Sequence, residues 1–128
     1  MSAPTPAEVA VGYLSAFATG DPEAVAGWVT DDFENRHASA LGSGCSGIDE
    51  YRRRLPGFLA SMAGISYAVE RVITDGDWVS VSYRMSAQPD GIAIDIPGVM
   101  VIETRAGLVA SRTDYWDALT YLRQTGQA

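Results

Sequence analysis

The stretch that decides the fold lies near the end of the chain, where residues 111–117 read SRTDYWD and residues 118–126 read ALTYLRQTG. The first part has the pattern of a β-strand, and the second part is typical of a short helix. Because successive side chains of a strand point to opposite faces, Arg112, Asp114 and Trp116 share one face. A buried carboxylate is unfavourable unless it is paired or protonated. Two interpretations stay open: the strand lies at an edge with its polar face in water, or Asp114 is the acid of a pocket.

The length and the acidic charge of the chain limit the classes of function. Its 128 residues suit one domain, residues 1–128, with a full core. The net charge is −7, all nine basic residues are arginine, and the basic run at residues 52–54 is typical of the solvated face of a helix. A protein of this kind is not expected to bind nucleic acid.

The N-terminus and the cysteine content predict a cytoplasmic protein. Residues 1–8 read MSAPTPAE and lack the basic and apolar regions of a signal peptide. No apolar run approaches the ~18 residues of a membrane span, so no membrane association is expected. Cys45 is the only cysteine, which excludes an internal disulfide and fits a reducing compartment.

The first half of the chain predicts three helices and one short strand. A Thr-Pro pair begins a helix predicted for residues 5–19, and an Asp-Pro pair begins a second helix at residue 21. A short strand is predicted at residues 33–39. A third helix is predicted from about residue 48 to residue 62, and Pro56 is expected to kink it or to begin a new segment.

From residue 65 onward the apolar pattern changes to a period of two. Four strands are predicted, at residues 65–74, 78–87, 92–104 and 108–117, separated by turns that contain glycine. The Pro-Gly pair at residues 97–98 predicts a bulge or bend. Helices followed by an antiparallel meander are typical of an α+β domain with its helices on one face of a curved sheet.

The strand predicted at residues 78–87 has two contrasting faces. One face carries Val79, Val81, Tyr83 and Met85, and the other carries Ser80, Ser82, Arg84 and Ser86. If the polar face lines a wet cavity, Arg84 can pair with Asp114, and a second subunit must cover the apolar face. Alternatively, the apolar face is the core of the domain and the serines face water. The strand by itself favours neither interpretation.

The following strand adds a mostly apolar face. It carries Ile94, Ile96, Gly98, Met100 and Ile102. If this face lines a cavity, the cavity has few polar groups, as a site for an apolar small molecule needs.

The beginning and the end of the chain together resemble a known superfamily. Residues 12–21 read GYLSAFATGD, residues 30–35 read TDDFEN, and the end reads TDYWD followed by YLRQTG. This combination resembles the nuclear transport factor 2-like superfamily, which includes ketosteroid isomerases, limonene epoxide hydrolases and SnoaL-like polyketide cyclases, and it is most similar to the cyclases. The resemblance implies a cone-shaped, curved antiparallel sheet wrapped around a pocket, N-terminal helices on its concave side, and homodimers formed through the outer sheet face.

The resemblance to cyclases and epoxide hydrolases also implies roles for single residues. Asp114 matches the acid/base aspartate of SnoaL-like cyclases and one of two catalytic aspartates of the hydrolases. Asn35 matches a pocket asparagine of both groups. Arg84 matches the arginine between the two hydrolase aspartates, but the second aspartate is Ser86 here. An epoxide hydrolase-like enzyme with an incomplete Asp-Arg-Asp set is therefore a second alternative.

The resemblance to ketosteroid isomerases is partial. Tyr13 matches their first-helix tyrosine, although the apolar stripe of the helix explains this residue equally well as part of the core. His37 lies near their catalytic carboxylate, and an imidazole is a plausible base. Their oxyanion-hole aspartate corresponds to about Gly98, and the polar pocket positions of cyclases on the same strand are Gly98 and Met100 here.

These residues predict cofactor-free acid/base chemistry, such as cyclisation or isomerisation, on a small hydrophobic carbonyl compound of polyketide type. Asp114 or His37 would remove a proton next to the carbonyl, and Asn35, Tyr13 or Arg84 would bind the oxyanion. The expected catalytic set is Asp114, His37, Asn35 and Arg84. The expected pocket set is Tyr13, Phe17, Trp28, Phe58, Ser86, Ile94, Ile96, Met100, Arg112 and Trp116. A single histidine without a suitably spaced carboxylate predicts no metal site. The alternative function is a non-catalytic domain that binds a small molecule or dimerises.

Overall fold

The computed structural model describes residues 3–128, which form four α-helices and six strands. In chain order these are α1 (Pro6–Ala16), α2 (Pro22–Ala26), β1 (Val29–His37), β2 (Cys45–Ser46), α3 (Ile48–Ser61), β3 (Ser66–Asp75), β4 (Trp78–Ala87), β5 (Ile94–Arg105), β6 (Leu108–Trp116) and α4 (Ala118–Gln124). The fold is the predicted α+β arrangement of helices and a curved, unclosed sheet. Within residues 3–128, no helix combines the length and the apolar character needed to cross a membrane.

Both N-terminal helices begin at the capping signals seen in the sequence. The Thr5 hydroxyl accepts a hydrogen bond from the backbone N–H of Glu8, and the Glu8 carboxylate accepts one from the backbone N–H of Thr5, which makes a capping box. The Asp21 carboxylate caps α2 by accepting a hydrogen bond from the backbone N–H of Glu23 at 3.0 Å. These local contacts explain why both helix starts were predicted correctly.

The helix α3 continues through Pro56, so no new segment begins there. Pro56 is exposed. The backbone carbonyl that loses its helical partner can therefore bond to water, which lowers the penalty of a proline inside a helix.

The strands form one sheet in the order β2-β1-β6-β5-β4-β3. The last four pair antiparallel, as predicted, and β1 adds to them by pairing parallel with β6. This parallel pairing places Asn35 beside Arg112 and His37 beside Asp114. It therefore brings two separate stretches of the sequence together.

The predicted bulge at residues 97–98 does not occur. Pro97 and Gly98 pair in continuous register with Arg84 and Tyr83 of β4, and the last β5–β6 pair is Gly98 with Trp116. Pro97 therefore lies beyond the end of β6, where its missing N–H breaks no hydrogen bond to that strand. The register shifts lie elsewhere, at residues 69–71 of β3, 103–104 of β5 and 29–34 of β1.

The apolar face of β4 is the core of the domain. Val79, Val81 and Tyr83 are at most 2% exposed, and α1 packs on β3, β4, β5 and β6. Arg84 points to the other side, where it is exposed and bonds to Asp95 at 3.0 Å. The interpretation in which Arg84 pairs with Asp114 and a second subunit covers the apolar face is therefore wrong.

Candidate functional site

A cavity of about 260 Å³ opens between the inner sheet face, α3 and the loop after β1. Its walls are largely apolar and aromatic, with one carboxylate, one guanidinium and one imidazole. They are formed by His37, Leu41, Gly42, Ser43, Phe58, Met62, Tyr67, Tyr83, Met85, Ile96, Arg112, Asp114, Trp116 and Tyr121. This composition is typical of a site for a small, mostly apolar molecule with few polar groups.

Arg112 and Asp114 form a buried ion pair in the wall of this cavity. They are neighbours on one face of β6, and each residue is 3% exposed. The Nη2 of Arg112 donates to Oδ2 of Asp114 at 3.1 Å. The Tyr83 hydroxyl donates to the other carboxylate oxygen, Oδ1, at 2.5 Å. The sequence placed both charges on one face but did not identify Arg112 as the partner.

Arg112 is also held by Tyr13 and by the ring of Phe17. Its Nη1 donates to the Tyr13 hydroxyl at 2.8 Å, and the hydroxyls of Tyr13 and Tyr51 are 2.5 Å apart. The guanidinium lies 5.8 Å from the ring centres of both Tyr13 and Phe17. Burial acts to lower the pKa of Arg112, but Tyr13 and the Asp114 carboxylate outweigh it and hold that pKa well above its ordinary value. Arg112 is therefore a permanent cation.

Three phenols near the ion pair, those of Tyr51, Tyr67 and Tyr83, stay protonated. Burial, together with the nearby charge of Asp114, raises the pKa of Tyr83 far above its ordinary value. Burial likewise raises the pKa of Tyr51 and of Tyr67. These side chains therefore remain hydrogen-bond donors throughout the physiological pH range.

His37 is neutral and bonded to Trp116. The Trp116 indole N–H donates to Nδ1 of His37 at 3.1 Å. Burial, and then the charge of Arg112, lower the pKa of His37 to about 4. Because Nδ1 accepts a hydrogen bond in the neutral ring, the ring proton is on Nε2. A side chain at Gly42 would collide with the imidazole, so this glycine lets the following loop close over His37.

A second cavity of about 120 Å³ adjoins the first. It is lined by Phe17, Asn35, His37, Ser43, Cys45, Tyr51, Arg54, Leu55, Phe58 and Arg112. Four of these residues, His37, Ser43, Phe58 and Arg112, also line the larger cavity. Burial raises the pKa of the Cys45 thiol, so Cys45 is not an activated nucleophile.

The structure places most of the expected site residues at the two cavities. Asp114, His37, Arg112, Trp116, Ile96 and Phe58 line the larger one, and Asn35 and Phe17 line the smaller one. Tyr13 lies behind Arg112 and supports it through its hydroxyl.

Five expected residues lie elsewhere. Arg84 and Ser86 are exposed on the outer face of β4, so neither can complete an Asp-Arg-Asp set with Asp114. Ile94 and Met100 are buried in the core without lining either cavity, and Trp28 packs against Gly12. Among residues 3–128, no three His, Cys, Asp or Glu side chains lie close enough together to hold a metal ion.

Several cavity residues were not identified from the sequence. The sequence placed Tyr83 on the apolar face of β4 but did not decide whether that face points toward the core or toward solvent. Once the face is known to point inward, the alternation of β4 identifies Tyr83 as a cavity residue. Tyr67 has the same alternation signal within β3. The loop residues Leu41, Gly42 and Ser43 carry no periodic signal.

Solved structures resemble the chain over nearly its whole length. A protein with a ketosteroid isomerase-like fold from Catenulispora acidiphila, in complex with trimethylamine, gives a TM-score of 0.86 at 18% identity, covering 99% of this chain and 96% of that one. A candidate SnoaL-like polyketide cyclase from Shewanella denitrificans gives 0.82 at 18% identity, with coverages of 98% and 99%. IdmH from Streptomyces antibioticus, a candidate polyketide cyclase, gives 0.81 at 17% identity, with coverages of 96% and 99%. These likenesses show the shared fold and no more.

The sequence itself identifies the family. No curated protein matches the chain. The family model described as a SnoaL-like domain, however, matches residues 10–112, from α1 to the arginine of the buried ion pair. Because this match spans most of the chain, the protein belongs to the family of SnoaL-like domains.

Proposed function

We propose that the protein is a cofactor-free acid/base enzyme that cyclises or isomerises a small, mostly apolar carbonyl compound. The observation that carries this proposal is a carboxylate, Asp114, that is buried, charge-paired and part of the wall of an apolar cavity. A carboxylate in such a place is poorly explained by packing alone, because two well-packed apolar residues would stabilise the fold at least as well as a buried ion pair.

Asp114 is the base in this proposal. It removes a proton from the carbon next to the ligand carbonyl, the C–H electron pair moves toward the carbonyl oxygen, and an enolate forms. The negative charge thereby passes from Asp114 to the ligand while Arg112 stays positive, so the net charge of the pocket does not change. For cyclisation, the enolate carbon attacks a second carbonyl of the same molecule, and Asp114 returns its proton to the new alkoxide. For isomerisation, Asp114 returns it to another carbon.

His37 supports this step as a hydrogen-bond donor. Sequence reasoning left Asp114 and His37 as alternative bases. Since Nδ1 of His37 accepts from Trp116, and the pKa of His37 is lowered to about 4 by burial, the imidazole has no free basic nitrogen at neutral pH. Its Nε2–H can instead stabilise the enolate oxygen. A neutral donor avoids a second buried cation beside Arg112.

The family supports the substrate class. Two of the structural relatives are candidate polyketide cyclases, and polyketide-like compounds carry carbonyl groups on a largely apolar skeleton. A cavity of about 260 Å³ with aromatic walls suits a ligand of one or two rings.

Exchange of carbon-bound protons with deuterium tests the proposal. 2-Tetralone, an apolar ketone with acidic protons next to its carbonyl, is incubated with the protein in D₂O, and exchange is followed by NMR. Wild-type protein should accelerate exchange above buffer, and Asp114→Asn should lower the acceleration by about 10²-fold or more, as expected for loss of a general base. Asp95→Asn is the matched control, since Asp95 is an exposed carboxylate bonded to Arg84 on the outer face. Full activity in Asp114→Asn would show that Asp114 is not the base.

Non-catalytic binding is the second candidate. It is favoured by the carboxylate itself, because both oxygens of Asp114 already accept hydrogen bonds, from Tyr83 and Arg112. If wild-type protein catalyses no exchange while 2-tetralone raises its melting temperature, the cavity is a binding site without chemistry.

We also propose that two copies pair through the outer face of the sheet. On that face Val99 and Tyr115 lie opposite each other on β5 and β6 and are 37% and 50% exposed. Ile73 on β3 is 60% exposed. A face with several large exposed apolar side chains is typical of a surface that another protein covers.

A further inference from the structure

Two buried polar atoms, both on residues that line the smaller cavity, lack a hydrogen-bond partner among residues 3–128. They are Oδ1 of Asn35 and Nε of Arg112. The other guanidinium nitrogens of Arg112 each donate one hydrogen bond, Nη1 to Tyr13 and Nη2 to Asp114, so Nε is the guanidinium nitrogen that has no partner. Buried polar groups in folded proteins are nearly always bonded, and an unbonded one needs an explanation.

The two atoms belong to one site. Asn35 and Arg112 are register partners on the parallel strands β1 and β6, and both side chains line the smaller cavity. Arg112 is 97% buried, as its 3% exposure shows, and its position is set by the ion pair and by Tyr13. The residues that line this cavity therefore include, on adjacent strands, one donor and one acceptor that have no partner in the protein.

This pair selects the chemistry of the group it binds. Arg112 Nε–H needs an acceptor, and Asn35 Oδ1 needs a donor. A hydroxyl group supplies both through one oxygen atom. A ketone would leave Asn35 without a donor, an ammonium group would leave Arg112 without an acceptor, and a carboxylate would repel the Asn35 oxygen.

The surroundings indicate what carries the hydroxyl. Phe17, Tyr51, Leu55 and Phe58 provide aromatic and aliphatic walls. His37, Ser43, Phe58 and Arg112 are shared with the larger cavity, so a single molecule can reach both. We infer that the protein recognises a hydroxylated, mostly apolar ring compound, with the hydroxyl held between Asn35 Oδ1 and Arg112 Nε–H and the ring system in the larger cavity. As a statement about the substrate this rests on the proposed function, which places the reacting carbonyl near Asp114 and His37.

The inference is tested by binding, without turnover. The probes are 2-naphthol, which donates and accepts, 2-methoxynaphthalene, which only accepts, and naphthalene, which does neither. Their dissociation constants are measured by fluorescence titration. For wild-type protein we expect 2-naphthol to bind about five- to tenfold more tightly than either of the others, the range of one net hydrogen bond. Equal affinities would overturn the inference and leave the smaller cavity as a site for water only.

The variant Asn35→Leu locates the effect. It removes the acceptor at nearly constant size, so the preference for 2-naphthol over naphthalene should fall to about twofold or less. The matched control is Gln124→Leu, the same kind of change at an exposed amide that bonds to Asp95 and lines neither cavity. A preference that survives in Asn35→Leu would overturn the inference, because the hydroxyl would then bind elsewhere.

The melting temperature of each variant is measured to check that the variant is folded. If Asn35→Leu does not fold, Asn35→Ser, which keeps a shorter acceptor, takes its place, with a partial loss of preference expected. The outcomes also separate this inference from the proposed function. An Asn35-dependent preference without proton exchange supports the hydroxyl site and refutes the acid/base enzyme, whereas exchange without the preference does the reverse.

Discussion

Replacing Arg112 with methionine should reveal the penalty of leaving Asp114 buried without its partner. Methionine is similar in length, so the main loss is the charge and the hydrogen bond to Asp114 at 3.1 Å. The Tyr13 hydroxyl keeps its bond to Tyr51 and is not left unpaired. Removing one member of a buried ion pair lowers the free energy of unfolding by about 3–5 kcal/mol. With a urea m-value of roughly 2 kcal/mol per M, the unfolding midpoint should fall by about 2 M.

The assay is equilibrium urea unfolding at pH 7, followed by tryptophan fluorescence, and the control is the double variant Arg112→Met/Asp114→Leu. The double variant removes both charges and leaves only the Tyr83 hydroxyl without its acceptor. The double variant should lose about 1–2 kcal/mol of its free energy of unfolding, less than Arg112→Met loses alone. If the double variant is instead less stable than Arg112→Met, the two residues are not coupled as a charge pair and the reasoning fails.

Three further predictions concern pH, backbone space and assembly. The pKa of His37 in the folded protein, about 4, lies below its unfolded value, so the unfolded chain binds more protons between pH 6.5 and 4. As the pH is lowered from 6.5 to 4, the free energy of unfolding of the wild type should therefore fall more than that of His37→Gln, as measured by urea titration at each pH. Gly98→Ala should lower the melting temperature, because a Cβ there would collide with the Tyr83 hydroxyl and would lie 2.9 Å from the Tyr115 carbonyl oxygen. The control Gly57→Ala, at a position in α3 with open space around it, should not lower the melting temperature. Equal effects of the two substitutions would argue against this packing. Val99→Arg should convert a dimer to a monomer in sedimentation velocity runs, and a wild type that sediments as a 13.6 kDa species would refute the dimer.

The elements that the sequence predicts well are those with local causes. Helix starts follow from side chains next to the backbone groups that they bond, as at Thr5 and Asp21. The bounds of β4 were predicted at both ends because a tight turn and a change of period mark them. These signals need no knowledge of the rest of the fold.

The direction of a strand face has no local cause. Alternation in β4 separates Tyr83 from Arg84 but does not say which of them points inward, because that depends on where α1 packs. The family resemblance matched Arg84 to a pocket arginine and so selected the wrong face. The cation beside Asp114 is Arg112, two residues away on the same strand, and alternation alone was enough to place it there.

Contacts between distant parts of the chain were the least predictable part of the site. His37 was expected near Asp114 only through the family resemblance, and it reaches Asp114 because β1 pairs parallel with β6 across more than seventy residues of sequence. The bond from Trp116 to His37 depends on this pairing. No sequence pattern could have shown that a candidate base is instead a neutral donor.

The charge balance of the pocket links these residues to one chemistry. Without a ligand, the charges of Asp114 and Arg112 cancel, since Nη2 of Arg112 lies 3.1 Å from Oδ2 of Asp114. The cavity therefore carries no net charge and suits an apolar ligand. In the proposed reaction, Asp114 would take a proton and its negative charge would move to the ligand oxygen, while Arg112 remains a cation because its pKa lies well above the ordinary value. A second cation at His37 would leave the pocket positive before any reaction. The low pKa of His37, set by burial and by Arg112, prevents this at neutral pH. The low pKa that makes His37 a poor base therefore also keeps the pocket neutral, as the proposed role of Asp114 as the base requires.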